Sequence, residues 1–323
     1  MSKLIYCTRQ IPDTGIQLLK DKGYTIDVGT FKTPPTKKDL IKALSKKPYE
    51  GVISFLTDTI DKDILDSCPS CKIFSNFAVG HDNLDVRSLN ERNIVATNTP
   101  GCSFTAVAEH SVAMMLSLTT RLVESDLFVR LGKYKGWDPN LFVGTDLTSK
   151  KIGLIGVGEI GSEVARILTM GFRCSILYSD INKNENIEKL YGAKHVDIDI
   201  ICKEADIISL HVPLLPTTRH LINKDRLKSM KKGAILINTS RGPVVDEVAL
   251  ADALADDVIR GAGLDVYEYE PNITKKLLLQ QDVVLTPHIA SARTSVRNKM
   301  SEIAAQNIIS FFETGKAVNE LKN

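Results

Sequence analysis

Two residues, Arg241 and His288, have the types and settings that proton transfer to a small bound carboxylic acid would need. Arg241 follows a buried-looking strand and precedes Gly-Pro, where a planar guanidinium suits a carboxylate. The alternative is a surface arginine that pairs with Asp246 or Glu247. His288 follows the predicted strand Val283–Thr286, and histidine is the usual proton donor near neutral pH. The two residues predict a general acid next to a carboxylate-binding group.

Several carboxylates lie between these two residues, in a loop that Pro271 closes. They are Asp265, Glu268 and Glu270. A carboxylate beside His288 would fix the tautomer of the imidazole and favour its charged form. The sequence pattern alone does not choose among the three acids.

The other five histidines are weaker candidates for the acid. His81 lies in a turn, and His110 lies on a predicted helix. His195 and His220 are expected on the solvent side. His211 ends a predicted strand and is expected to have a packing role.

A glycine motif, Gly156-Val-Gly158-Glu-Ile-Gly161, stands between a predicted strand and a predicted helix. In a dinucleotide-binding turn the first glycine permits the tight bend, and the second lets the backbone approach the pyrophosphate. The third lets helix and strand pack closely. The N-terminus of the following helix, Ile160–Met170, offers free N–H groups to phosphates. The motif predicts a dinucleotide site here.

Asp180 ends the next strand, about 20 residues beyond the motif, where an acid typically binds the adenosine ribose. Its charge would repel the 2′-phosphate of NADP, so NAD is the expected cofactor and NADH is expected to be preferred over NADPH. Asn182 and Lys183 lie close by and could hold a phosphate, which leaves NADPH as the alternative.

Strands and helices alternate along the chain, with one break at Asn98–Gly101. Before the break the predicted strands are Leu4–Cys7, Tyr24–Val28, Gly51–Leu56, Lys72–Phe77 and Ile94–Thr97, and the helices are Thr14–Lys22, Lys38–Lys46, Lys62–Ser67 and Leu84–Arg92. After it come a helix at Thr105–Leu122, a loop, strands at Ile152–Gly156, Ser175–Ser179, Ile207–His211, Ala234–Asn238, Gly263–Asp265 and Val283–Thr286, and a last helix at Arg293–Gly315. This alternation predicts an α/β protein with two doubly wound parallel-sheet domains. The last helix is expected to return to the first domain.

Composition excludes several classes of protein. The 323 residues include 43% hydrophobic ones and carry a net charge of +2, so neither a nucleic acid nor a membrane surface is an expected partner. The N-terminus lacks the apolar stretch of a signal peptide, which predicts a cytoplasmic protein. Cys68 and Cys71 form a C-x-x-C, but no second cysteine or histidine pair completes a zinc site. We therefore expect no bound metal and two incidental thiols.

Taken together, the motifs resemble those of the D-isomer-specific 2-hydroxyacid dehydrogenase family, over nearly the whole chain, and most resemble its glyoxylate/hydroxypyruvate reductases. The shared motifs are Ala78–Asp85, Asn98–Gly101, Phe128–Arg130, the glycine motif, His211–Pro213, the Arg241 segment, Leu264–Pro271 and Thr286–Ser291. The resemblance implies a Rossmann NAD-binding domain, residues 102–292, inserted into a flavodoxin-like substrate domain of residues 1–101 and 293–323. It also implies a homodimer built on the NAD domain.

The resemblance assigns roles to individual residues. Arg241 would bind the substrate carboxylate and polarise the keto group, His288 would be the acid–base, and Glu270 rather than Glu268 would pair with His288. Backbone N–H groups of Val79 and Gly80 would also bind the carboxylate. The implied cofactor-binding residues are Gly156, Gly158, Glu159, Ile160, Gly161, Asp180, Val212, Pro213, Thr218, Thr239, Ser240 and Asp265.

The expected reaction is the NAD(H)-dependent reduction of a small 2-keto acid such as glyoxylate or hydroxypyruvate. Similar formate dehydrogenases have glutamine where Glu270 stands, and similar phosphite dehydrogenases have lysine where Val79 stands, which disfavours both substrates. A D-lactate-type or other 2-hydroxyacid dehydrogenase remains an alternative. A non-catalytic protein that senses NAD on the same scaffold is another.

Overall fold

The computed structural model describes residues 2–322, and the chain forms two compact units. The first unit takes in the chain up to Ser103 and again from Ala292 onward, and the second is Phe104–Ser291. The boundaries predicted from sequence, after residues 101 and 292, lie close to these two crossing points. Within the described range, no helix is long and apolar enough to cross a bilayer.

The first unit is built on five short parallel strands. The strands are β1 (Leu4–Cys7), β2 (Thr25–Val28), β3 (Gly51–Phe55), β4 (Ile73–Phe77) and β5 (Val95–Thr97). The helices are α1 (Asp13–Asp21), α2 (Lys37–Leu44), α3 (Lys62–Ser67), α4 (Val86–Glu91) and, from the end of the chain, α13 (Thr294–Thr314). The strand order is β2-β1-β3-β4-β5, which is the flavodoxin-like order.

Helices cover both faces of this first sheet. On one face, α2, α3 and α4 bury apolar side chains such as Leu40, Ile64 and Leu89 against the strands. On the other face α13 packs against α1 and β4. The Ser301 hydroxyl of α13 donates to the carbonyl of Pro12 at 2.6 Å and ties the last helix to the start of α1. The last helix therefore returns to the first unit.

The second unit contains seven parallel strands and most of the helices. Its strands are β6 (Lys151–Ile155), β7 (Ser175–Ser179), β8 (Lys194–His195), β9 (Ile207–Leu210), β10 (Ile235–Asn238), β11 (Gly261–Leu264) and β12 (Val283–Leu285). Its α-helices are α5 (Phe104–Thr119), α6 (Leu122–Arg130), α7 (Glu159–Phe172), α8 (Glu185–Tyr191), α9 (Ile198–Glu204), α10 (Lys224–Ser229), α11 (Glu247–Ala255) and α12 (Lys275–Leu278). Strands β9, β10 and β11 are buried along their whole length, as expected for a parallel sheet covered on both faces.

The strand order of the second unit is β12-β11-β10-β9-β6-β7-β8. From β6 the chain adds β7 and β8 on one side of the sheet and then β9 to β12 on the other side. The strand order therefore reverses between β6 and β9. Loops at the carboxyl ends of β6 and β9 therefore border the crevice where doubly wound sheets bind ligands. The predicted α/β class with two doubly wound parallel sheets is confirmed.

The predicted helix at Thr105–Leu122 is wrong at its end. Helix α5 stops at Thr119, and a second helix, α6, occupies part of the segment predicted as a loop. The hydroxyls of Thr119 and Thr120 donate to carbonyls one turn back, at 2.9 and 2.6 Å, which competes with continuation of the helix. Arg121 then takes a left-handed φ of 55° and turns the chain. The sequence pattern also assigned none of α8 to α12.

Candidate active site

The glycine-rich turn lies between β6 and α7, at the reversal of strand order. Gly156 has a φ of 89°, and a Cβ on Gly161 would lie 2.2 Å from the Gly156 carbonyl oxygen, so neither position accepts a side chain. By contrast, no described atom beyond its chain neighbours comes within 4 Å of a Cβ placed on Gly158. Helix α7 begins at Glu159, so the N–H groups of Glu159, Ile160 and Gly161 lie in its open first turn. The turn therefore fits a pyrophosphate.

Asp180 follows β7 and faces the same turn. Its Oδ2 accepts a hydrogen bond from the Val157 N–H at 2.7 Å, and its Oδ1 accepts from the Ile181 N–H at 2.7 Å. The carboxylate lines a pocket of about 440 Å³ together with Gly158, Asn182, Lys183 and neighbouring residues. The pocket has room for a ribose, and both the acid and the lysine border it.

His211 follows β9 and packs against the glycine turn from the other side of the crevice. Its carbonyl oxygen would lie 2.6 Å from a Cβ on Gly156, which fixes how closely the two loops approach. The ring Nε2 lies 2.9 Å from the Ser209 hydroxyl, and Nδ1 is buried without a hydrogen-bond partner among the described residues. Burial lowers the pKa of His211 to about 4, so the ring is neutral near pH 7. This agrees with the packing role expected from sequence.

The loop after His211 contains the predicted cofactor residues Val212, Pro213 and Thr218. The Thr218 hydroxyl donates to the Pro213 carbonyl at 2.7 Å and accepts from the Leu215 N–H at 2.8 Å. These bonds hold the loop in one shape beside the crevice. Contact with a cofactor stays a prediction for all three residues.

Three predicted site residues follow β10 in sequence. The Thr239 hydroxyl lies 2.8 Å from the Ser111 hydroxyl, and Ser240 donates to the Asn238 side-chain oxygen through its N–H at 3.0 Å and its hydroxyl at 2.8 Å. Arg241 is half-buried, and its Nη1 donates to the Ser240 carbonyl at 2.8 Å. These bonds fix the backbone from which the guanidinium extends.

Asp246 and Glu247, the two acids that could make Arg241 a plain surface residue, have other structural roles. Asp246 accepts from the Ala249 N–H at 2.9 Å and caps α11. Glu247 is 3% exposed and accepts from the N–H groups of Glu268 and Thr274, both at 2.7 Å. Both carboxylates thus stabilise the local backbone.

His288 and Glu270 form the pair that the family resemblance implies. The Nδ1 atom of His288 lies 3.0 Å from the Glu270 Oε2, and the two side chains are 26% and 31% exposed. The Tyr267 N–H donates to the other oxygen of Glu270 at 3.0 Å. Burial alone would raise the pKa of Glu270, but the hydrogen bond and charge of His288, the Tyr267 N–H and the charge of Arg241 bring it below its usual value. Arg241 therefore lies near enough to act on this pair electrostatically.

Asp265 shapes the turn that carries His288. His288 has a left-handed φ of 55°, and its N–H donates to the Asp265 carbonyl at 2.8 Å. The carboxylate of Asp265 is fully buried and accepts from the N–H groups of Ile289 and Ala290, both at 2.8 Å, and from the Thr286 hydroxyl at 2.5 Å. The predicted cofactor contact of Asp265 stays a prediction, and its contacts in the structure hold the turn that carries His288.

Val79 and Gly80, the predicted carboxylate-binding residues, lie in the first unit, just after β4. The Val79 carbonyl accepts from the Asn98 side chain at 2.7 Å, and the Gly80 carbonyl accepts from the Asn76 side chain at 3.0 Å. Because the peptide group is planar and trans, the Gly80 N–H points away from the Val79 carbonyl and therefore away from Asn98. The loop is thus held in one conformation by two asparagines.

His195 and His220 are both partly exposed, and each makes a contact that the sequence did not predict. His195 is half-buried, and its ring centre lies 5.0 Å from that of Tyr178. His220 is also half-buried, and its Nε2 lies 2.7 Å from a Glu268 oxygen. The sequence reasoning also missed His110, whose Nε2 lies 3.1 Å from the Thr286 hydroxyl. No local sequence pattern indicates these contacts, because each joins segments that are distant in sequence.

A glycine-rich turn of the dinucleotide-binding type and a histidine–glutamate pair on one doubly wound sheet are typical of nicotinamide-dependent oxidoreductases. The family model "D-isomer specific 2-hydroxyacid dehydrogenase, NAD binding domain" matches residues 112–290. The glyoxylate reductase of Thermococcus litoralis is 41% identical over 96% of this chain and 94% of its own length. The chain belongs to the D-isomer-specific 2-hydroxyacid dehydrogenase family and is an oxidoreductase.

Solved structures agree along the whole chain. A protein of Thermus thermophilus superposes with a TM-score of 0.92 at 34% identity, covering 99% of this chain and 100% of that one. An NADPH-dependent glyoxylate/hydroxypyruvate reductase from Sinorhizobium meliloti, solved with NADP and malonate, gives a TM-score of 0.85 at 29% identity over 99% and 97% of the two chains. The fold is therefore shared with a reductase whose name states that it depends on NADPH.

Proposed function

We propose that this enzyme reduces small 2-keto acids, with glyoxylate and hydroxypyruvate as preferred substrates and NADH as the preferred reductant. The observation that carries the proposal is the 3.0 Å contact between His288 and Glu270, in a site where the charge of Arg241 acts on the same carboxylate. Relatives named glyoxylate reductase, 39 to 41% identical to this chain, support the choice of substrate.

The chain's own residues supply binding and proton transfer. Arg241 binds the substrate carboxylate through its planar guanidinium. In the first unit, the family resemblance assigns carboxylate binding to the N–H groups of Val79 and Gly80. Glu270 accepts from Nδ1 of His288, which leaves Nε2 to donate a proton to the substrate oxygen. The nicotinamide supplies the hydride when bound. In the reverse direction Nε2 accepts the proton from the hydroxyl group.

The glycine turn and Asp180 would hold the dinucleotide. The open side of Gly158 and the first turn of α7 suit the pyrophosphate, and Asp180 suits the ribose hydroxyls. A 2′-phosphate would meet the Asp180 charge, although Lys183 borders the same pocket. The preference for NADH or NADPH depends on how strongly Asp180 repels the 2′-phosphate and how strongly Lys183 attracts it.

The test is the rate of NADH oxidation, followed by absorbance, with glyoxylate, hydroxypyruvate, pyruvate and phosphonopyruvate, repeated with NADPH. We expect the highest kcat/KM for glyoxylate or hydroxypyruvate with NADH. Tight NADH binding without turnover of any of the four acids would contradict the proposed reaction. Equal kcat/KM with NADPH would contradict only the proposed cofactor preference.

Replacing Asp180 by asparagine removes the charge but keeps an acceptor for the Val157 N–H. We expect the ratio of kcat/KM for NADH to that for NADPH to fall by about 10–100-fold, because a like charge next to the 2′-phosphate is removed. Lys183→Gln serves as the matched control and should move the ratio the opposite way. A ratio unchanged in Asp180→Asn would show that this carboxylate does not select the cofactor.

We also propose that the enzyme is a homodimer joined through the surface of residues 122–143 in the second unit. This surface exposes several large apolar side chains, and helix α6 buries none of its residues. Trp137 is 83% exposed, Val143 64%, Leu131 58% and Leu127 54%. Contiguous exposed apolar side chains are typical of protein interfaces. A second copy of the chain is the proposed partner.

Sedimentation velocity tests the dimer. Leu127→Asp should shift the protein to monomer, because it places a charge in the centre of the apolar surface. Leu279→Asp, at a site 81% exposed elsewhere in the same unit, is the control and should sediment like the wild-type protein. A monomeric wild-type protein at micromolar concentration would contradict the proposal.

A further inference from the structure

A second glutamate of the same loop, Glu268, is buried and lies at the centre of a group of polar contacts. Its side chain is 2% exposed. Oε1 lies 2.7 Å from His220 Nε2 and 3.1 Å from Arg219 Nη2, and Oε2 accepts from the Glu247 N–H at 3.3 Å. A carboxylate buried this deeply must be paired to be tolerated, and each of its two oxygens has a partner.

Glu247 both donates a hydrogen bond to Glu268 and accepts one from it. Its Oε2 accepts from the Glu268 N–H at 2.7 Å, so each glutamate binds the backbone of the other. Its Oε1 accepts from the Thr274 N–H at 2.7 Å. The start of α11 is therefore joined twice to the loop that follows β11. Glu268, Glu247, Arg219 and His220 are called the Glu268 cluster below.

His220 joins a third segment to the first two. Its φ is +49°, a left-handed conformation that is uncommon for any residue other than glycine. Its backbone N–H donates to the Pro243 carbonyl at 2.8 Å while its ring binds Glu268. Bonds from both the backbone and the side chain hold this strained residue in place, as is typical of strain near functional sites.

Gly242 shows how closely the segments meet. A Cβ on Gly242 would lie 1.9 Å from the carbonyl carbon and oxygen of Tyr267 and 2.5 Å from the Glu268 nitrogen. The residue after Arg241 thus lies directly on the backbone before Glu270. The Tyr267 N–H of that same backbone orients Glu270 at 3.0 Å.

We propose that Glu268 and His220 are positioning residues of the reaction, which hold the Arg241 and Glu270 segments and the loop of Thr218 in one arrangement. The inference rests on the proposed roles of Arg241, Glu270 and His288. Misplacement of a reacting group by about 1 Å is enough to reduce catalysis by about 100-fold. The Glu268 cluster touches no reacting atom and acts through the backbone that it fixes.

The experiment compares Glu268→Ala with Glu268→Gln. Alanine removes both acceptor oxygens, whereas glutamine keeps one for His220 and Arg219. We expect Glu268→Ala to lower kcat about 10–100-fold, with a displaced pH profile. Glu268→Gln should recover most of the lost kcat. Asp199→Ala, which breaks the 2.9 Å pair with Arg226 in the same unit, is the matched control and should leave kcat unchanged.

His220→Asn provides a second route in case Glu268→Ala does not fold. Asparagine accepts the left-handed φ, but its shorter side chain does not reach Glu268. We expect His220→Asn to lower kcat less than Glu268→Ala does. The double variant should lose about as much kcat as Glu268→Ala alone, because both substitutions break the same contact between Glu268 and His220.

A readout without substrate separates this inference from the proposed function. In ¹⁵N NMR spectra of the protein, Glu268→Ala should change the shift of the His288 Nδ1 nucleus, and Asp199→Ala should not. That shift needs no turnover, so it tests the inference even if no keto acid is reduced. Wild-type kcat, pH profile and Nδ1 shift in a folded Glu268→Ala variant with only a lower Tm would overturn it.

Discussion

Two histidine–glutamate pairs lie within one loop system of this enzyme and differ in how deeply their glutamates are buried. Glu270 pairs with His288 at 3.0 Å and Glu268 pairs with His220 at 2.7 Å, although the glutamates are two residues apart. The Glu270 side chain is 31% exposed, whereas that of Glu268 is 2% exposed. An accessible pair is able to exchange protons with a substrate. A pair with a buried carboxylate is suited to fixing the backbone around it.

The largest expected effect comes from breaking the accessible pair at the histidine. His288→Ala should lower kcat by about 10²–10⁴-fold, because the proposed general acid is lost. The NADH dissociation constant should stay near the wild-type value, since the glycine turn is untouched. Stopped-flow turnover and fluorescence titration measure the two quantities. Near-normal kcat would show that another group donates the proton.

Glu270→Gln should lower kcat by about 10–100-fold and move one limb of the pH–rate profile, because the partner of Nδ1 loses its charge. The pKa of Glu270 lies below its usual 4.5, since the favourable contacts with His288, Tyr267 and Arg241 outweigh burial. Its ionised form therefore adds stability above pH 4.5, and this contribution is lost as the pH falls through the lower folded pKa.

Measuring Tm against pH tests whether ionised Glu270 stabilises the folded protein. Wild-type protein should lose more stability than Glu270→Gln on acidification below pH 4.5. Identical acid profiles of Tm and of rate in the two proteins would contradict the pairing.

Gly242→Ala tests the close backbone contact between Gly242 and Tyr267, which lies next to both pairs. A methyl group there would overlap the Tyr267 carbonyl, so the segments must separate. We expect a loss of about 2–4 kcal/mol in unfolding free energy, as for other overpacked or strained sites, together with a lower kcat. Gly233→Ala, in open space between α10 and β10, is the control. Unchanged stability would mean that the loops move apart at little cost.

The smallest expected effect concerns His211, a buried histidine whose ring partner is a hydroxyl instead of a carboxylate. Its folded pKa is about 4 against 6.5 for a free ring, because burial disfavours the charge. The unfolded chain therefore binds more protons between these values, and stability falls as the pH drops from 6.5 towards 4. Urea titrations should show that His211→Gln loses about 1–3 kcal/mol less unfolding free energy than wild-type protein over this pH interval. Parallel pH dependences would contradict a neutral buried His211.

Local sequence patterns determined much of the fold. Strands such as Leu4–Cys7 and Ser175–Ser179 were predicted to the residue, because buried parallel strands are short continuous apolar runs between helices. The glycine motif was visible because its backbone geometry demands glycine at fixed spacing. Arg241 and His288 were candidates because polar residues directly after buried strands have no core role.

Residue types and spacing did not decide which acid meets which histidine; the family resemblance implied Glu270 for His288, and the tertiary structure shows both contacts. Both glutamates of the Tyr267–Glu270 segment are equally good partners by composition, and the choice depends on how the backbone of that loop is turned by Glu247, Gly242 and His220. These contacts join residues 20 to 50 positions apart in the chain, roughly the length of a whole βαβ unit. Side-chain periodicity describes which face of one element is buried, and it carries no information on how two loops meet.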